Sequence, residues 1–103
     1  MEEKLDLIIG CIQKEYPEVT KEQILSVHRY AKYKVPRFIA IYILHNHDAG
    51  TLIKKAELFN RHHSSLIHAE VKVIQEMRIY PQFKSKVDRI EMEFILKNYP
   101  SLN

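Results

Sequence analysis

Residues 51–77 read TLIKKAELFNRHHSSLIHAEVKVIQEM, and the two apolar runs on either side of Asn60-Arg61-His62-His63 decide the fold. Thr51 suits a helix cap, and Leu52, Ile53, Ala56, Leu58 and Phe59 follow it at helical spacing. A longer helix is expected from Ser64 or slightly earlier, with Leu66, Ile67, Ala69, Val73, Ile74 and Met77 as its buried side. Asn60 tolerates the left-handed conformation that reverses a chain. Two helices joined across so short a turn follow the plan of a helix-turn-helix, here at about 51–78, whose second helix enters the DNA major groove. Ala56 is small where the first helix must let the second approach, and Asn60 stands four residues on. Any helical hairpin can show that pair. The added weight comes from Arg61, His62, His63, Ser64 and Ser65, which put only polar groups at a helix N-terminus that itself attracts phosphate.

Upstream, Val27 to Val35 lacks helical periodicity and reads as a basic loop, with Arg29, Lys32 and Lys34 interleaved with Tyr30 and Tyr33. Pro36 suits a first helical position, and Arg37 to His47 is apolar nearly all round, as a central helix packed by others would be. Asp48-Ala49-Gly50 is turn chemistry. At the N-terminus Leu5, Ile8, Ile9, Ile12 and Tyr16 predict an amphipathic helix from about Glu2 to Glu15, ending before Pro17. Thr20 and Gln23 have capping-box spacing for a short helix from Lys21 to about Ser26. Downstream, Pro81 starts a sixth helix marked by Phe83, Val87, Ile90, Phe94 and Ile95 and closed by Pro100. The expectation is an all-α bundle of about six helices forming one domain over residues 1–103.

A chain of 103 residues with 46% apolar and 28% charged side chains can bury one core, so a site must lie on the surface or between a few helices. Two glycines cannot build a phosphate-cradling loop, which argues against an intrinsic nucleotide enzyme. Cys11 stands alone, which excludes an internal disulfide and a Cys-based zinc site and fits a reducing cytosol. Phe38 to Leu44 is far too short to span a bilayer, which takes about 20 residues, and Glu2-Glu3 is no basic signal region. The charge is uneven. Residues 26–63 hold seven basic and two acidic groups, whereas residues 1–25 hold three and six. Five of the six histidines share the basic middle, where a polyanion would recruit further positive charge. The middle thus reads as an anion-facing side or, in the plainer alternative, as the solvated exterior of a bundle.

The segment Arg61-His62-His63-Ser64-Ser65-Leu66-Ile67-His68-Ala69 resembles the signature Gly-Arg-Asp-His-Thr-Thr-Val-Leu-His-Ala of the C-terminal DNA-binding domain of the bacterial replication initiator DnaA. The likeness extends through Phe59, Thr51-Leu52 and Pro36-Arg37 to Arg29 and Ser26, covering roughly Ile8 to Met77. It implies an all-helical, double-stranded-DNA-binding module that acts as a monomer on short asymmetric sites. By the same resemblance His63 and Ser64 would read base edges, and Arg29 would enter a narrow minor groove. Arg37, Ser65 and His68 would hold phosphates, Ile53 would touch thymine methyls, and His45 would replace a basic residue that reaches the backbone. Lys32, Lys34 and Arg61 complete the expected contact set. Three departures stand out. His62 replaces an aspartate that accepts from a cytosine amino group, the turn at Asn60-Arg61 is one residue shorter, and Lys55 occupies a core aliphatic position, where a snorkelling stem could cover apolar surface. Nothing here resembles the family's ATPase domain, so a chain complete at this length would depend on a protein partner for ATPase or regulatory function.

Each of these residues also has a plainer chemistry. His62, His63 and His68 lack a carboxylate or thiol at ligand spacing, so no metal or other cofactor is expected. Ser64 has no orienting acid for nucleophilic catalysis, and no enzyme is expected. Ser64 and Ser65 can cap a helix while touching DNA, and His68 can equally be a partly buried hydrogen-bonded residue. The competing class is a non-enzymatic helical adaptor whose basic side docks an acidic protein.

Overall fold

A computed structural model describes residues 1–99 as six helices: α1 (Glu2–Glu15), α2 (Lys21–Ile24), α3 (Ala31–His47), α4 (Leu52–Leu58), α5 (His63–Ile79) and α6 (Pro81–Asn98). The expected closure by Pro100 lies outside the described residues; α6 ends at Asn98, with Tyr99 as its C-cap. The chain is all-α over the described residues, as the periodicity predicts.

Local signals start and stop these helices. Thr20 and Gln23 form the reciprocal capping box, Thr51 Oγ1 accepts the Lys54 N–H at 3.2 Å, and Pro81 opens α6. Asn60 is the one non-glycine residue with positive φ among those described, at 50°. Its N–H donates to Glu57 O and the Arg61 N–H donates to Ala56 O, both within 3.1 Å. These are the two bonds of a Schellman motif, which reverses the chain in little space and accounts for the short turn.

α3 is the central element, with α1, α2 and α5 against it, while α6 closes over α1 and α5. Ile8 and Ile12 of α1, Ile39 and Ile43 of α3, Phe59 after α4, and Val87, Ile90 and Phe94 of α6 share one buried core. The C-terminus of α3 is held by two lysines. Lys4 Nζ donates to His47 O at 3.0 Å, and Lys55, only 3% exposed, donates to Asp48 O at 2.5 Å. The Lys55 stem thus takes the core aliphatic position while its ammonium meets the negative end of a helix dipole. Gly50 closes the turn by donating its N–H to Asp48 Oδ2; a Cβ there would lie 2.7 Å from that oxygen and 2.1 Å from Met1 Cε.

Two expectations are corrected. The loop after α2 is shorter than Val27 to Val35, because α3 begins at Ala31 and Pro36 is its sixth residue, not its first. Tyr30 O accepts from both Tyr33 N and Lys34 N, which starts the helix early, and Pro36 forgoes only the bond to the carbonyl of exposed Lys32. Ile67 is 49% exposed, not buried. Leu66, Ala69 and Val73 already fill the inward line of α5, and Ile67 turns about 100° away from Leu66.

Candidate nucleic-acid interface

Between the basic loop with the start of α3 on one side and the N-terminal turns of α5 on the other runs an open groove of about 450 Å³. It brings together Arg29, Lys34, Arg37, Arg61, Ser64, Ser65 and His68, seven of the residues picked out in the sequence, over a floor of Phe38 and Ile41. Four cations line it and no carboxylate does.

Arg37 is the buried member of this set, 2% exposed. Its Nε donates to Ile24 O at 2.7 Å, Nη1 to His28 O at 2.9 Å, and Nη2 to Gln23 O at 3.2 Å and Ser26 Oγ at 3.3 Å. Four of the five N–H groups of a guanidinium are therefore committed within the chain. The expected role at a phosphate gives way to a positioning one: Arg37 ties the basic loop to the central helix. Burial and the neighbouring Arg61 pull its pKa down to about 10, which leaves it charged at neutral pH in a place short of negative charge. Arg61 adds a second tie, Nη2 to Ser26 O at 2.8 Å, so the helix-turn-helix turn and the loop are joined directly. Its buried Nε has no hydrogen-bond partner among the described residues.

The remaining predicted residues lie around the groove. Arg29 is exposed on the loop tip between Val27 and Tyr30, which are 66% and 71% exposed. Lys32 lies 5.7 Å from the Tyr33 ring centre and Lys34 lies 5.4 Å from that of Phe38. His68 meets Phe38 edge-on. His62 is the N-cap of α5 and His63 its first residue, their rings 4.1 Å apart and both exposed; Ser64 and Ser65 follow, also exposed. Ile53 is exposed on α4. His45 is set apart from the groove, its Nε2 3.4 Å from Glu70 Oε2, and that carboxylate competes with a backbone phosphate for it. Among the described residues no three His, Cys, Asp or Glu side chains gather where a metal could be held.

Three exposed apolar residues escape the sequence pattern: Val27 and Tyr30 on the basic loop and Ile67 on α5. Ile67 could have been found as the residue four after His63, on the face of the polar cap and off the 66–69–73 line.

A short helix, a Schellman turn and a longer helix with a polar N-terminus, packed on a central helix beside a cationic groove, define a helix-turn-helix DNA-binding domain. The family described as bacterial dnaA protein helix-turn-helix matches residues 5–73, and the chain belongs to it. DNA binding is the function that this membership carries. Among the described residues no helix is long and apolar enough to cross a membrane.

Proposed function

We propose that the chain is a sequence-specific, double-stranded-DNA-binding module of the initiator C-terminal type, acting as one unit and as a monomer in the cytosol. In this reading residues 51–78 are the helix-turn-helix. The N-terminus of α5 presents His62, His63 and Ser64 to the major groove, with Ile53 and the base methyls as an apolar contact. Arg29 enters the adjoining minor groove. Lys32, Lys34, Arg61, Ser65 and His68 hold the phosphates between the two, and Arg37 holds the loop in place. Any ATPase or regulatory function would lie outside these residues.

One observation carries the reading: four cations and no carboxylate line a groove that runs into the polar N-terminus of α5. A phosphate in that groove would meet the positive charge of its lining side chains and of the α5 N-terminus. Mobility shift of a duplex across a salt series tests this. About five neutralised phosphates give a log–log slope near −4.5. A slope near zero, or random duplex left unshifted at low salt, overturns the reading in favour of an adaptor that docks an acidic protein.

A further inference from the structure

His62 caps α5 in a way that determines which edge of its ring faces outward. Its Nδ1 lies 3.2 Å from the backbone N of Ser64 and 2.8 Å from Ser64 Oγ. A backbone N–H can only donate, so Nδ1 bears the lone pair and the neutral ring carries its proton on Nε2. The Ser64 hydroxyl is then a second donor to Nδ1, which leaves only lone pairs on the outer side of Oγ. The His63 ring, tilted by 33° with centroids 4.1 Å apart, further limits the rotation of the His62 ring. Nε2–H has no partner among the described residues, and His62 is exposed. The neighbouring groove, lined by four cations and no carboxylate, supplies the backbone anchor that would bring this cap against base edges.

We propose that the His62 Nε2–H reads guanine, a selection by hydrogen-bond polarity that rests on the double-strand reading above. In the major groove guanine offers two acceptors, O6 and N7. Cytosine offers only its amino donor, adenine flanks its single acceptor with an amino group, and thymine sets a methyl beside its own. A lone donor held by a helix cap therefore prefers guanine and opposes cytosine.

The test keeps the cap and changes the outward group. Aspartate and asparagine both cap helices well, so His62→Asp and His62→Asn retain the fold, which thermal melting verifies. Aspartate presents an acceptor, whereas asparagine can cap with its oxygen and present its amide N–H groups. Bound sequences are selected from a random duplex pool with all three proteins. The motifs are expected to agree at every position but one, with guanine there for the unmodified chain and His62→Asn and cytosine for His62→Asp. Exchanging that guanine for cytosine should weaken the unmodified chain about tenfold and strengthen His62→Asp. Identical motifs from all three proteins, or cytosine selected by the unmodified chain, overturn the inference alone. Failure of the unmodified chain to bind any duplex overturns the double-strand reading and the inference with it.

Discussion

Arg37 reaches back across 9 to 14 residues to the carbonyls of Gln23, Ile24 and His28, and so fixes a loop that the backbone alone would leave free. Removing it takes the donor from the buried Ile24 O and the part-buried His28 O, while Gln23 O keeps the Ser26 N–H, and opens a cavity. Arg37→Ala is expected to cost about 2–4 kcal/mol, with relief of the Arg61 repulsion returning part of it. Arg37→Lys separates positioning from charge. A lysine keeps the positive charge but, with one ammonium, cannot span three carbonyls. Both variants should therefore melt at lower temperature, become open to proteolysis near residues 27–30 and lose DNA affinity together. Full affinity and melting temperature in Arg37→Lys would instead mean that Arg37 acts as a point charge on phosphate. Ser64 offers a contrast: it is exposed and bonded only to its own cap, so its substitution bears on base reading more than on stability.

At the scale of elements, the α4–α5 turn depends on one backbone conformation. Asn60 at φ 50° allows Arg61 N–H to reach Ala56 O, and that bond starts α5 at the right place on α4. A β-branched residue resists this region by about 1–2 kcal/mol, whereas glycine accepts it freely. Asn60→Val should lower stability by that amount and weaken DNA binding, because the N-terminus of α5 is displaced relative to the basic loop. Asn60→Gly should leave both within about 0.5 kcal/mol of the unmodified chain. Equal melting temperatures for the two variants would show that the turn does not need the left-handed residue. Thr51, Asn60 and Pro81 were legible as punctuation because each acts on backbone groups within about four residues. The start of α3 was not, because Pro36 reads as an N-terminal signal while Tyr30 O already nucleates the helix.

At the scale of the molecule, carboxylates join distant helices. Glu15 pairs with Arg89 at 2.9 Å, Glu93 bridges Lys14 and Lys97, and Asp48 receives Lys4. The Arg89 hydrogen bond holds Glu15 below the ordinary carboxylate range, and Lys14 with Lys97 does the same to Glu93. Burial pushes Asp48 upward, but the Gly50 N–H and Lys4 outweigh it and the net direction is down. Each group is more acidic folded than unfolded. Their stabilisation is thus present above the unfolded values, near pH 4, and is lost as pH falls through the folded ones. The urea midpoint is expected to drop steadily from about pH 5 to pH 3, and less steeply in high salt because most of these pairs face solvent. A midpoint flat across that range would show that the links between α1, α3 and α6 are apolar alone.

The amino-acid sequence by itself determined that there are six helices, the Thr20 and Thr51 caps, the Asn60 reversal and the polar tip of α5, since spacing and short-range hydrogen bonds govern each of them. Only the tertiary structure decided that Arg37 turns inward, that Lys55 reaches the end of α3, that Ile67 faces out and that Arg29, Lys34, Arg61 and His68 line one groove. The physical reason is range. A buried guanidinium or ammonium goes wherever packing leaves unpaired carbonyls, and which carbonyls those are depends on helices many residues apart meeting in space.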